Sequence, residues 1–300
     1  MESIASHLDP KFLAQLEGLR LRARQIVEGY VAGLHRSPFR GFSIEFAEHR
    51  EYVPGDDLRY VDWKVYGRTD KYYVKQFEDE TNLICYVVLD ASESMRYQGP
   101  GVAMSKFTYA QCLAAAISFL VLLQHDAVSV ATFDDRVRHF VRPAGSPAQQ
   151  QQVLAALEDV EPVAKTNMER TFRELAERMV KRGIVLVISD FFHDTRSMLA
   201  GLRNFQYRRH DVALLQVLDP CELDFPFRGS TLFRGMEQLP DLLADPAALR
   251  TAYLQEFNHF LQTVKSGAQR MGIDYRLIRT DQSFDKTLAS FLAHRAAKTG

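Results

Sequence analysis

Cysteine is scarce in this sequence. Cys85, Cys112 and Cys221 are the only three, and none forms a CxxC pair. That argues against a disulfide framework or a thiolate zinc site and fits buried thiols in a reducing compartment. Charge of one sign is not in surplus either, since 37 Lys and Arg face 38 Asp and Glu. General nucleic-acid binders carry a basic excess, so the balance argues against that class, though not against a local basic patch. No apolar run is long enough to cross a bilayer: the longest, Cys112 to Leu123, has 12 residues and contains Ser118. Glu2, Asp9, Lys11, Glu17 and Arg20 interrupt any leader-like apolar stretch near the start. The expectation is a soluble, cytoplasmic protein without a membrane span. Signatures of common enzymes are missing as well. There is no GxxxxGK[ST] loop, no GxGxxG after a strand, no GxSxG elbow and no HExxH.

What is present is an ordinary globular composition. Of the 300 residues, 46% are hydrophobic and 25% charged, enough for a sizeable core in one large domain or two modest ones. Three zones follow. In the first, residues 1–76, Asp9-Pro10 opens a helix expected to run to Leu34, with Phe12, Leu13, Leu16, Leu19, Ala23, Ile26, Val27 and Tyr30 near helical period. From Arg36 to Lys75 the pattern changes to short strands and loops, with interleaved charges that read as an ion-pair network.

The second zone alternates strands and helices. Leu83–Leu89, Ala127–Phe133, Ile184–Ile188, Val212–Leu218 and Ile273–Ile278 are nearly continuous apolar runs, as expected of strands buried on both faces of a parallel sheet. Helical patterns at about Ser105–Gln124, Pro147–Leu157, Met168–Lys181, Arg196–Phe205 and Asp245–Met271 separate them. The predicted fold is α/β: a doubly wound, mostly parallel sheet flanked by helices, Rossmann-like, with an N-terminal helix and strand/loop region before it. A short helix, about Ser283 to Ala296, is expected to dock on this 77–300 domain.

Ligands of open parallel sheets bind beyond the carboxyl ends of the strands, where the strand order reverses. Asp90, Ser92 and Ser94 follow the first strand at alternate positions, so one loop can aim all three side chains to one side. Thr166, before the third helix, and Asp190, after the Ile184–Ile188 strand, can reach the same point if those strands are neighbours. Every donor atom is an oxygen, which suits Mg²⁺ or Mn²⁺ and disfavours zinc. Mg²⁺ takes about six ligands and keeps waters, so a position stays open for a carboxylate from another protein. These five residues resemble the metal-ion-dependent adhesion site of von Willebrand factor A-like domains. One departure is Ser189-Asp190-Phe191, where that family often has Thr-Asp-Gly.

The preceding zone sharpens the resemblance. Tyr52-Val53-Pro54-Gly55-Asp56-Asp57-Leu58-Arg59-Tyr60-Val61-Asp62-Trp63, then Gly67-Arg68-Thr69, is similar to the signature of a bacterial family catalogued as domain of unknown function number fifty-eight, which joins this block to a von Willebrand A-like domain. The similarity runs from about Arg36 to Arg295. It implies a non-enzymatic interaction module whose partner is a MoxR-type AAA+ ATPase, or a client of one, engaged through an Asp or Glu. Such ATPases are thought to act as chaperones in maturing other protein complexes.

Plainer readings stand beside these. Ser92 and Ser94 suit backbone bonding in a turn, and Thr166-x-x-Glu169 is a capping-box pattern. The Gly55–Trp63 block reads better as a structural turn with buried Arg–Asp bonds than as acid/base machinery. His193 reads as a loop histidine. A metal-dependent phosphoester hydrolase and a scaffold with a vacant metal site are the competing functions.

Overall fold

The computed structural model describes residues 9–34, 49–51, 73–75, 83–162, 167–236 and 239–289. Its helices are α1 (Pro10–Leu13), α2 (Leu19–Leu34), α3 (Lys106–Leu123), α4 (Gln149–Glu158), α5 (Met168–Arg178), α6 (Thr195–Tyr207), α7 (Pro220–Asp224) and α8 (Pro246–Arg270). Its strands are β1 (His49–Glu51), β2 (Tyr73–Lys75), β3 (Ile84–Asp90), β4 (Ala127–Phe133), β5 (Val137–Ala144), β6 (Ile184–Ser189), β7 (Asp211–Leu218), β8 (Thr231–Phe233), β9 (Leu242–Ala244) and β10 (Asp274–Arg279).

The central sheet has six strands in the order β10-β7-β6-β3-β4-β5. All neighbours run parallel except β4 and β5, which are antiparallel. This is the α/β, mostly parallel, doubly wound architecture expected from the sequence. The apolar runs explain it, because a strand with both faces covered needs no polar side. On β3, Cys85, Val87 and Leu89 join the core under α2, α3 and α4. Their neighbours Ile84, Tyr86 and Val88 join the opposite core, under α5, α6 and α8. The chain leaves β3 toward β4 and β5 and returns to β6 on the other side. The switch point therefore lies between the carboxyl ends of β3 and β6.

Several elements differ from expectation. The first helix is broken: α1 ends at Leu13 and α2 starts at Leu19, with Gly18 at φ 81, left-handed backbone that ends a helical path. Strand β5 lacks an apolar run because it is a half-buried edge strand, carrying Arg138, Arg142 and Pro143. Gln149 is buried and donates its amide to the Val128 and Arg142 carbonyls, each at 2.7 Å. The terminal helix is present over residues 284–289, where Phe284 stacks on Tyr109 at 4.3 Å between ring centres.

Packing groups residues 1–36 with 83–300 in one compact unit and 37–82 in another, whereas the division at 76/77 follows the chain. In the smaller unit, β1 and β2 pair antiparallel. The Gly55–Trp63 block lies outside the described residues. Among the described residues, α3 is the one helix long and apolar enough to cross a membrane by length and composition, and it is mostly buried in the core.

Candidate metal centre at the sheet switch point

Strand β3 ends on Asp90, whose side chain is fully buried. Its Oδ1 accepts the Ser92 N–H at 2.8 Å, which turns the chain back toward the strand end. Its Oδ2 accepts the Ser189 hydroxyl at 2.5 Å, tying β3 to β6 across the switch point. The Ser92 and Ser94 hydroxyl oxygens are 3.1 Å apart, and the Ser92 hydroxyl also faces the Asp90 carboxylate. The sequence spacing thus brings Asp90, Ser92 and Ser94 together. All three are buried, Ser94 being the most exposed at 8%. Burial, and next the charge of Asp190, push the Asp90 carboxyl from 3.8 up to about 7.

Asp190 follows β6 directly and is also buried, but its carboxylate is taken up elsewhere. Oδ2 accepts the Lys106 ammonium at 2.7 Å, and Oδ1 accepts the Phe192 N–H at 3.0 Å. Lys106 Nζ also donates to Glu222 at 2.7 Å and lies 4.4 Å from the centre of the Phe192 ring. Burial alone would lower the Lys106 pKa; Asp190 and then Glu222 more than offset it, so the group stays charged.

Thr166 lies outside the described residues, but Asn167 is placed. Its N–H reaches the Asp134 carbonyl, just past β4, at 3.5 Å, and its side chain caps α5 by accepting the Arg170 N–H at 3.2 Å. The cap is thus one residue later than the Thr166-x-x-Glu169 pattern suggests, and Glu169 falls short of the reciprocal position. His193 is half-buried.

Phe191 stands where the adhesion-site family often has glycine. Its φ of 57 is the left-handed conformation glycine adopts readily. The Ser189 hydroxyl accepts the Phe191 N–H at 2.8 Å and the ring is fully buried, so packing holds a backbone shape that costs about 1 kcal/mol for a side chain.

Sequence reasoning missed Lys106 and Glu222, and both left signals. A lysine at the first position of an apolar helix opposes the helix dipole, so it needs a nearby carboxylate. Asp219-Pro220-x-Glu222 after an apolar strand is a capping box, and here it is complete: Asp219 caps α7 while Glu222 accepts the Asp219 N–H at 2.8 Å.

Among the described residues, no three His, Cys, Asp or Glu side chains are grouped to hold a metal. A cation at Asp90 would therefore depend on the serine hydroxyls, and that all-oxygen set fits Mg²⁺ or Mn²⁺.

The fold and this cluster together define a doubly wound α/β domain with a group of oxygen-bearing side chains at its switch point. Residues 48–259 match the family described as "Protein of unknown function DUF58", and the chain belongs to that family. It is 28% identical over 294 residues to the uncharacterized proteins Rv1480 of Mycobacterium tuberculosis and Mb1516 of Mycobacterium bovis, covering 96% of this chain and 90% of each relative. Solved structures similar to it include BatB from Bacteroides thetaiotaomicron (19% identity, TM-score 0.44, 72% of this chain and 99% of that one). Another is an aerotolerance-related membrane protein from Bacteroides fragilis (18% identity, TM-score 0.45, 72% and 99%). A third is a von Willebrand factor type A protein from Catenulispora acidiphila (14% identity, TM-score 0.34, 62% and 43%).

Proposed function

We propose that this chain is a non-enzymatic, cytoplasmic protein-interaction module that works through a divalent cation. Asp90, Ser92 and Ser94 hold Mg²⁺ or Mn²⁺ directly, Thr166 adds a further hydroxyl, and Asp190 acts through water. The ion's open position takes an Asp or Glu of the partner, a MoxR-type AAA+ ATPase or one of its clients. The observation that carries this reading is the meeting of the Asp90 carboxylate with the Ser92–Ser94 hydroxyl pair beside the switch point. The identity of the partner follows from the family resemblance. A dication on a low-dielectric floor strengthens a carboxylate contact that would be weak at a wet surface.

The test is capture of the ATPase by the purified chain in Mg²⁺ and in EDTA. Retention in Mg²⁺ only, lost in Asp90→Ala with the circular dichroism spectrum unchanged, is the expected result. Equal capture in both buffers would refute it. Turnover of phosphoesters, lost in the same variant, would instead favour a hydrolase.

A further inference from the structure

A second feature lies at the opposite end of the sheet. Between the edge strand β5 and the end of α5 there is a cleft of about 690 Å³, within the range of ligand-binding pockets. Its apolar part is formed by Tyr86, Phe140, Pro143 and Val180, and its charged part by Arg142, Arg178 and Lys181. Among the described residues, no carboxylate lines it. Arg178 is paired with Glu174 at 2.5 Å and sits 6.0 Å from the centre of the Phe140 ring. Arg142 and Lys181 form no ion pair among the described residues, and both are exposed.

The scaffold holds these two cations through their backbones. The Lys181 carbonyl accepts the Tyr86 hydroxyl at 2.9 Å, and the Arg142 carbonyl accepts the Gln149 amide at 2.7 Å. Gly183 fixes the 181–183 turn against β3, because a Cβ there would sit 2.3 Å from the Ile84 carbonyl oxygen. Two positioned cations with no ion pair among the described residues therefore flank an apolar floor on which Val180 is 86% exposed.

We propose that this cleft docks an acidic segment of a partner protein in which carboxylates alternate with an apolar side chain. The carboxylates meet Arg142 and Lys181, and the apolar side chain lies on Val180, Phe140 and Pro143. Charge complementarity selects an anion, and the apolar floor selects a peptide over a nucleic-acid backbone, whose contacts are mainly ionic.

The test is fluorescence anisotropy of a labelled short peptide alternating Glu with Leu or Phe, in EDTA and at about 0.1 M salt. The full chain is expected to bind it, to bind an all-Glu peptide more weakly, and to bind an oligothymidine of equal charge more weakly still. Arg142→Glu with Lys181→Glu should weaken peptide binding about tenfold or more. Arg142→Ala alone should weaken it about threefold. Because neither replaced side chain makes an ion pair among the described residues, the melting curves should match the parent. No binding by the parent, unchanged affinity in both variants, or tighter binding of the oligonucleotide would overturn the proposal. Binding that persists in EDTA separates this cleft from the Asp90 centre, so either can fail alone.

Discussion

The two ends of the central sheet solve opposite electrostatic problems. At the carboxyl end, Asp90, Asp190 and Glu222 are buried or nearly so, and the internal Lys106 faces Asp190 and Glu222. At the amino end, Arg142 and Lys181 stand in the open, and among the described residues no carboxylate lines their cleft. A net charge of −1 conceals this separation. Charges at the buried end must be satisfied inside the protein, so they couple strongly to folding. Charges at the open end are solvated and couple to folding weakly.

The largest effect is expected at Lys106. Lys106→Met would leave Asp190 and Glu222 buried without their cation and should cost about 3–5 kcal/mol in urea unfolding. Adding Asp190→Asn and Glu222→Gln should recover most of it. A small loss in the single variant would mean that the buried end is less dependent on its internal pair than the geometry indicates.

Next comes the pH response of Asp90. Its carboxyl titrates near 3.8 when unfolded and at about 7 when folded. The folded state therefore binds the extra proton, so the stabilising contribution is full below 3.8 and is lost as pH rises through 7. In metal-free protein, stability should fall by about 1 kcal/mol per pH unit within that window, and Asp90→Asn should flatten the slope. A cation needs the carboxylate, so Mg²⁺ affinity should rise over the same interval. A slope unchanged in Asp90→Asn would assign the titration to another group.

At the amino end, Gly183→Ala forces a Cβ onto the Ile84 backbone and should cost about 1–3 kcal/mol, read as a lowered melting temperature. An unchanged melting temperature would show that this turn can yield. The smallest stability effect is expected for Ser94→Ala, less than about 1 kcal/mol, since its hydroxyl meets only Ser92 among the bonds described. Its Mg²⁺ affinity should nonetheless fall about tenfold. Equal affinity would remove Ser94 from the metal set.

Much of the fold was legible because burial on both strand faces leaves unbroken apolar runs. Ala127–Phe133 was read to the residue, and the other parallel strands to within one or two. Strand β5 was not legible, since a half-buried edge strand alternates weakly and tolerates Arg138, Arg142 and Pro143. The break at Gly18 was hidden by apolar spacing that continues on both sides of it. At the site, spacing alone revealed that Asp90, Ser92 and Ser94 share a loop. It could not reveal that Lys106, far along the chain, claims Asp190, because long-range pairing leaves no local period. The cleft was invisible for the same reason: Arg142 and Lys181 come from separate segments whose charges are cancelled in the overall count.

The central claim is that Asp90, Ser92 and Ser94 form a cation site. The most direct measurement is a Mn²⁺ titration followed by electron paramagnetic resonance of the free ion, with melting temperature recorded in parallel. One site per chain, a raised melting temperature on binding, and loss of both in Asp90→Ala are the predicted results. Mn²⁺ uptake that is absent from the parent, or equal in parent and Asp90→Ala, would contradict the account.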